Sequence, residues 1–166
     1  MSGASRGRFA GRAAVVTGAA SGIGEATARR LHAEGAQVFA ADLRGDALDA
    51  LVAAVDCERF SGHRVDMIEP VEVEAMIAAA ADRMGGIDIL VNNAGIGSFG
   101  TVADIDLAQW REVMAIDLEA VMWASRCALP HLLRGHGCIV NVASTAGLAG
   151  DYGFAAYNAA KAGVLN

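Results

Sequence analysis

Tyr157 and Lys161 form a pair of side chains whose types and spacing predict chemistry. They are four residues apart in a stretch of helical periodicity, so they lie on one face of the predicted helix and can approach each other. An ammonium close to a phenol favours the phenolate, and it lowers the pKa of a tyrosine from its reference value of about 10. The pair therefore predicts a general acid/base, with Tyr157 able to take a proton from an alcohol. Tyr157 alone is better interpreted as a partly buried helix tyrosine beside a surface lysine.

Ser144 is a third candidate, because it follows a short apolar run, residues 138–142, that is typical of a strand. A hydroxyl at the end of the fifth predicted strand could donate a hydrogen bond to a substrate oxygen. It would then stabilise negative charge that develops on that oxygen during reaction. Ser144, Tyr157 and Lys161 are therefore the predicted catalytic residues.

Residues 17–24, with the sequence TGAASGIG, stand where a strand is predicted to turn into a helix. This is the context that a dinucleotide-binding turn requires. Gly18 permits a tight exit from the strand, Gly22 leaves room for a pyrophosphate against the backbone, and Gly24 lets the helix lie close to the sheet. The start of the helix offers free N–H groups and the positive end of its dipole to phosphates. The turn alone is a weak indication, because such turns also use glycine for purely steric reasons.

Asp42 strengthens the nucleotide interpretation. It follows the next predicted strand, about 20 residues downstream, where a carboxylate can accept hydrogen bonds from the hydroxyls of an adenosine ribose. The same carboxylate would repel a 2′-phosphate, so NAD is favoured over NADP as the cofactor. Arg44 leaves an alternative open, because it could swing toward a 2′-phosphate or could be a solvated residue that opens a helix.

Four motifs in a fixed order give the chain a resemblance to a known family. They are the TGxxxGxG turn, Asn92-Asn93-Ala94-Gly95 after the fourth predicted strand, Asn141-Val142-Ala143-Ser144, and Tyr157-Asn158-Ala159-Ala160-Lys161. From about Gly11 to its last residue the chain resembles the classical short-chain dehydrogenase/reductase family. The resemblance implies an oxidoreductase that moves a hydride between NAD and a secondary alcohol or ketone, with Lys161 also holding the nicotinamide ribose.

The resemblance also implies cofactor contacts beyond the glycine turn. Asp66 and Met67 fall where members of the family contact the adenine, although a turn-initiating aspartate is an equally good interpretation of Asp66. Residues 93–95 would pack against the adenosine ribose, and they would also form a tight loop between central strands. The predicted cofactor-binding residues are Gly18, Ser21, Gly22, Ile23, Gly24, Asp42, Asp66, Met67, Asn93, Ala94, Gly95, Tyr157 and Lys161.

Asp117 departs from the family pattern. Members of the family usually have an asparagine at this position of the long helix, and it holds a water in the proton relay to the lysine. A carboxylate can accept hydrogen bonds from that water, but it cannot donate as an amide does, and it adds a negative charge near Lys161. We expect a modified relay, with simple pairing of Asp117 to a neighbouring cation as the alternative.

The length of the chain is the second departure. Members of the family usually continue for roughly another half-domain, with further strands, a substrate loop and helices that complete a dimer or tetramer. We therefore expect the last strands to be missing, and we expect these 166 residues alone to bind NAD poorly and to turn over little. The full protein is expected to be a homo-oligomer. An inactive nucleotide-binding fragment or a regulatory protein is the alternative function.

The elements that must position these residues follow from an alternation of short apolar runs with helical periodicity, which is the pattern of parallel βαβ units. The sequence thus predicts a single α/β domain over residues 1–166, a doubly wound parallel sheet of the Rossmann type in three layers. Strands are predicted at residues 13–17, 37–41, 63–65, 87–91 and 138–142. Helices are predicted at residues 22–34, 43–55 and 71–84, from residue 106 to a kink or end at Pro130, and through residues 157 and 161.

Composition excludes several classes of protein. With 54% hydrophobic and 19% charged residues the chain is not a disordered segment. The net charge of −6 and the scattered basic residues give no prediction of nucleic-acid binding. The apolar run at residues 13–17 is too short and too closely followed by glycines for a signal core or a membrane span. Three widely spaced cysteines predict neither disulfides nor a metal site, so a cytoplasmic protein is expected. Its expected partner is a small-molecule substrate, and the sequence leaves the identity of this substrate open.

Overall fold

The computed structural model describes residues 7–166, which form a five-stranded sheet with helices on both faces. The strand order is β3-β2-β1-β4-β5, and every neighbouring pair is parallel. The chain moves outward from β1 to β3, then returns to the other side of β1, which makes the sheet doubly wound. The strands are β1 Ala13–Thr17, β2 Gln37–Asp42, β3 Phe60–Arg64, β4 Ile89–Asn92 and β5 Cys138–Asn141.

Six α-helices flank the sheet in the described part of the chain: α1 Gly22–Ala33, α2 Gly45–Val55, α3 Pro70–Met84, α4 Leu107–Met114, α5 Ala120–Gly135 and α6 Ala155–Leu165. A π-helical turn, Ala115–Glu119, joins α4 directly to α5, and a short 3₁₀ turn, Thr145–Gly147, precedes α6. Between residues 7 and 166, no helix has the length and apolar character to cross a membrane.

The core lies in two layers because successive residues of a strand point to opposite faces of the sheet. In β1, which is buried along its whole length, Val15 packs with residues of α3 and α5. Val16 packs on the other face with residues of α1 and α2. A central strand covered on both sides is apolar at nearly every position, as β1 is from Ala13 to Val16. The predicted three-layer fold is confirmed.

Two strands begin at residues other than those predicted. β3 begins at Phe60, whose side chain is buried and which pairs with Val38, whereas residues 63–65 were predicted. Its remaining residues are small or polar, so the apolar signal that marks a strand is weak there. β4 begins at Ile89 and not at residue 87, and the Asp88 carboxylate just before it accepts hydrogen bonds from the Ala13 N–H and from Arg12.

Of the two predictions for Pro130, a kink or an end of the long helix, the end is wrong. Pro130 lies inside α5, which continues to Gly135 and ends where His136 adopts a left-handed conformation with φ of 54°. Ala128 and Leu132, on either side of the proline, are buried against the sheet, and this packing outweighs the one hydrogen bond that proline cannot make. The interruption of α-helical geometry is instead the π-turn at Ala115–Glu119.

Candidate functional site

A cleft of about 550 Å³ opens at the carboxyl ends of β1, β2, β3 and β4, where the strand order reverses. Open parallel sheets bind ligands at this topological switch point. The cleft contains ten of the residues predicted to contact a cofactor, together with four others. Its lining is Gly18, Ser21, Gly22, Ile23, Asp42, Leu43, Arg44, Asp66, Met67, Asn93, Ala94, Gly95, Ile96 and Ile116.

The glycine turn between β1 and α1 has the geometry that its sequence predicts. Gly18 has φ of +63°, and a Cβ there would lie 2.8 Å from the Ala94 Cα. Gly22 has φ of +55° with open space beside it, and a Cβ on Gly24 would lie 2.1 Å from the Gly18 carbonyl oxygen. Gly24 therefore packs helix against strand and does not line the cleft. The Ser21 side chain makes no capping hydrogen bond within residues 7–166, so the first N–H groups of α1 face the cleft without a side-chain acceptor.

Thr17 and Asn93 lock the loop after β4 onto the glycine turn. The Thr17 Oγ1 accepts hydrogen bonds from the N–H groups of Asn93, at 3.0 Å, and Ala94, at 3.1 Å. The Asn93 side-chain amide donates in return to the carbonyl oxygens of Thr17, at 3.0 Å, and Gly18, at 3.1 Å. These four bonds hold together two walls of the cleft. Thr17 was not among the predicted site residues, although a hydroxyl at the last position of an apolar strand was a signal for it.

Asp42 lies at the end of β2, where the sequence places it, and is 6% exposed. One carboxylate oxygen accepts the Ala20 N–H at 2.9 Å, and the other accepts the Arg44 N–H at 2.9 Å. The Arg44 guanidinium bends back over this carboxylate, with Nε 3.3 Å from Oδ1, and donates to the Ser21 Oγ at 2.6 Å. Arg44 is thus more than a solvated helix opener, because it spans the rim of the cleft from β2 to the glycine turn.

Asp66 makes the contact that one of its two interpretations, a turn-initiating aspartate, predicts. Its Oδ1 accepts the Ile68 N–H at 3.0 Å, which is the contact of a turn-initiating aspartate. Asp66 and Met67 also line the cleft beyond β3. The turn thereby holds both residues at the edge of the cleft opposite the glycine-rich wall.

Tyr157 and Lys161 lie on one face of α6, as their spacing predicts. The Lys161 Nζ is 5.6 Å from the centroid of the Tyr157 ring. Tyr157 is half-buried, whereas Lys161 is 4% exposed and donates to the Val142 carbonyl oxygen at 3.3 Å. A buried ammonium requires compensating partners, and the end of β5 supplies one of them.

Asp117 supplies the other partner. It lies in the π-turn, is fully buried, and places Oδ2 3.1 Å from the Lys161 Nζ. Its Oδ1 accepts the Ile96 N–H at 2.8 Å. Burial raises the pKa of the Asp117 carboxyl above its ordinary value, while the Ile96 N–H and the Lys161 ammonium act to lower it. Pairing with a cation, the alternative interpretation of Asp117, is therefore what the structure contains.

Gly95 connects this ion pair to the cleft. It lines the cleft, and a Cβ on Gly95 would lie 2.9 Å from the Asp117 Oδ2 and 3.3 Å from the Lys161 Nζ. The two charged groups therefore stand immediately behind the cleft wall formed by the loop after β4. Neighbouring Ile116, which the sequence analysis did not single out, reaches the cleft from the same π-turn. Sequence carried no signal for it, since π-turns have no simple periodicity.

Ser144 begins the 3₁₀ turn that packs against α6. Its Oγ accepts the Ala146 N–H at 3.2 Å, which caps the turn. Gly147 in that turn approaches α6 so closely that a Cβ would lie 2.6 Å from the Lys161 carbonyl carbon. The segment that carries Ser144 is thus pressed against the helix that carries Tyr157 and Lys161. In the described residues, no three His, Cys, Asp or Glu side chains cluster as metal ligands would.

The family model for short chain dehydrogenases matches residues 12–166, nearly the whole chain. The chain belongs to the short chain dehydrogenase family. Two of its curated relatives are 44% identical to it: a meso-2,3-butanediol dehydrogenase of Serratia marcescens, over 159 residues, and a cis-4-hydroxycyclohexanecarboxylate dehydrogenase of Sinomonas cyclohexanicum, over 161 residues. These matches cover 96% and 95% of this chain, and 63% and 65% of the two relatives. The chain thus spans less than two thirds of the length of these short chain dehydrogenases.

Solved structures of short chain dehydrogenases share the fold. A short chain dehydrogenase/reductase of Burkholderia phymatum, crystallised in complex with NAD, superposes with a TM-score of 0.91 at 32% identity. That match covers 95% of this chain and 57% of the Burkholderia protein. A short chain dehydrogenase of Mycobacterium smegmatis superposes with a TM-score of 0.89 at 37% identity, covering 96% of this chain and 69% of the other. The predicted family and fold are confirmed.

Proposed function

We propose that the protein carrying this chain transfers a hydride between NAD and a secondary alcohol or ketone. The carrying observation is that the buried ammonium of Lys161 stands both beside the Tyr157 ring and directly behind Gly95 in the wall of the cleft. Two relatives whose names specify hydroxylated substrates, the butanediol and hydroxycyclohexanecarboxylate dehydrogenases, support this class of reaction.

The cleft fits a dinucleotide. The open space beside Gly22 and the uncapped start of α1 suit a pyrophosphate. Asp42 lies where the ribose hydroxyls of an adenosine would meet a carboxylate, and its negative charge disfavours a 2′-phosphate. Two comparisons support NAD: the Burkholderia structure contains it, and a relative 40% identical over 161 residues, from a Sphingomonas species, is named as an NAD(+)-dependent dehydrogenase. We propose NAD as the cofactor, which accepts or supplies the hydride when bound.

The residues of this chain carry the proton side of the reaction in this proposal. In alcohol oxidation the substrate hydroxyl gives its proton to the Tyr157 oxygen while the carbinol carbon loses a hydride. The Lys161 ammonium favours the phenolate that takes this proton. Ser144 donates a hydrogen bond to the substrate oxygen and stabilises its developing charge. In the reverse direction Tyr157 returns the proton to the carbonyl oxygen of a ketone.

The test is NADH formation by the intact protein that carries residues 1–166, measured by absorbance with a panel of secondary alcohols. Tyr157→Phe removes the proton acceptor and keeps the ring, so kcat is expected to fall by about a hundredfold or more. Tyr152→Phe is the matched control, because Tyr152 is 88% exposed and is expected to leave kcat unchanged. NAD binding with no effect of Tyr157→Phe on any rate would overturn the proposal. It would leave the second candidate, a nucleotide-binding protein without catalysis.

We also propose that the full protein is a homo-oligomer located in the cytoplasm. Exposed apolar side chains along α5, Met122, Leu129 and Leu133, support an interface through this helix. The free thiols Cys57, Cys127 and Cys138 are consistent with a reducing compartment.

A further inference from the structure

We propose that Asp117 is a positioning residue that holds the Lys161 ammonium in a buried ion pair. Its negative charge offsets part of the stabilisation that this ammonium gives to a Tyr157 phenolate. The inference rests on the proposed function, because it concerns the same tyrosine and lysine. It adds direct electrostatic competition to the modified relay expected from the sequence, because one ammonium lies beside both a carboxylate and the ring of a phenol.

Lys161 lies close to both Asp117 and the Tyr157 ring. Its Nζ is 3.1 Å from the Asp117 Oδ2 and 5.6 Å from the centroid of the Tyr157 ring. The Val142 carbonyl oxygen, at 3.3 Å, is its hydrogen-bond acceptor. Asp117 is 0% and Lys161 4% exposed, so water screens their interaction little.

Lys161 has this one ion pair among residues 7–166. The elements packed against α6 are α4, the π-turn and the 3₁₀ turn. The charged residues that they carry besides Asp117 are Arg111, Glu112 and Glu119, which are all exposed to solvent. Asp117 is therefore the charge from these elements that opposes Lys161 without solvent screening.

The π-turn is what brings the carboxylate to this position. An α-helix that widens by one residue shifts the side chains that follow, and such turns occur frequently at functional sites. Here the shift coincides with a second anchor, the Ile96 N–H, which donates to the Asp117 Oδ1 at 2.8 Å. Ile96 lines the cleft, so Asp117 joins the cleft wall to the lysine of α6. The Ile96 N–H holds one oxygen of the carboxylate, and the ion pair made by the other oxygen keeps Lys161 in one place.

The proposal predicts the direction in which the Asp117→Asn substitution changes the ionisation of the phenol. Replacing Asp117 by asparagine keeps an oxygen for the Ile96 N–H and removes one negative charge beside Lys161. The ammonium then favours the Tyr157 phenolate without opposition. Tyrosinate is therefore expected to form at a lower pH in Asp117→Asn than in the chain with Asp117.

The test is an ultraviolet titration of tyrosinate in the 166-residue chain. The sequence has two tyrosines, so Tyr152→Phe leaves Tyr157 as the sole phenol. In this Tyr152→Phe background, the pH midpoint of tyrosinate formation is compared between the chain with Asp117 and the Asp117→Asn variant. Circular dichroism checks that each variant is folded. Glu119→Gln is the matched control, because it removes an exposed carboxylate from the same turn and is expected to leave the midpoint unchanged.

A lower midpoint in Asp117→Asn supports the proposal, whereas an unchanged or higher midpoint overturns it. Lys161→Met gives a second measurement that does not depend on Asp117→Asn folding. Removing the ammonium is expected to raise the midpoint, and no rise would overturn the proposal. The titration uses neither nucleotide nor alcohol, so its failure leaves the proposed dehydrogenase function standing. If Tyr157→Phe kept full activity in the intact protein, the proposed dehydrogenase function would be wrong, but the titration result would stand.

Discussion

Asp42 illustrates at the scale of a single residue how one carboxylate can serve both fold and binding. Its two oxygens are occupied by the N–H groups of Ala20 and Arg44, so the side chain is held in place before any ligand arrives. A pre-organised acceptor loses little conformational entropy on binding. Arg44, already paired with this carboxylate and with Ser21, is restrained from turning outward.

Asp42→Asn is expected to weaken NAD binding by about ten- to a hundredfold, because a charge-assisted hydrogen bond contributes roughly 1.5–3 kcal/mol. NADP binding should weaken less or improve, since the repulsion of the 2′-phosphate is removed and Arg44 is released toward it. Calorimetric titration of the intact protein with both nucleotides measures the ratio. Asp46→Asn, a carboxylate exposed on α2, serves as the control. An equal loss for the two nucleotides would contradict the assignment of Asp42 to cofactor selection.

The glycine turn shows at the scale of elements why α1 can approach the sheet. Gly24 sits in the first turn of α1 directly over the Gly18 carbonyl oxygen, where a Cβ would come within 2.1 Å. The same Cβ would lie 2.5 Å from the side-chain nitrogen of Asn93. A side chain at this position must therefore push the helix away from the loop after β4, and one wall of the cleft would move with it.

Gly24→Ala is expected to lower the free energy of unfolding by about 1–3 kcal/mol, the usual cost of forcing a methyl group into a filled site. Urea denaturation of the 166-residue chain measures this change. Gly97→Ala adds the same methyl group where no atom lies within 4 Å, and stability should not fall there. Equal stability of the two variants would show that α1 can move without cost.

At the scale of the whole molecule, α5 presents two different faces. Ala120, Ala124, Ala128 and Leu132 are buried against the sheet and α3. Met122, Leu129 and Leu133 are 49%, 47% and 72% exposed, and they follow a helical stripe at intervals of seven and four residues. An exposed apolar stripe on a helix is typical of a contact with another chain.

Leu129→Glu is expected to shift the intact protein toward a smaller species, because a charge in an apolar interface must be desolvated without a partner. Sedimentation velocity measures the distribution of species. Ala50→Glu places the same side chain on the exposed face of α2 and should leave the distribution unchanged. A wild-type protein that sediments as a monomer at high concentration would contradict the oligomer.

The sequence by itself determined the family, the parallel sheet and the layout of the cleft. Short-range rules suffice for these features: apolar runs specify buried strands, glycine spacing specifies the turn, and parallel strands carry their ends to one edge. Ten of the predicted cofactor residues line the cleft for this reason. Spacing on one helical turn likewise brought Lys161 beside Tyr157.

Only the tertiary structure decided what surrounds each charge. Asp117 and Lys161 are 44 residues apart in sequence, and no periodicity links them. Their pairing depends on a π-turn, on the backbone of Ile96 and on burial, which are products of packing between α6 and the long helix. The same holds for Pro130, where packing outweighed local preference, and for Arg44, whose partner Ser21 belongs to another loop. Two charges interact according to their distance in space. The sequence constrains that distance only for residues one helical turn apart or on paired strands.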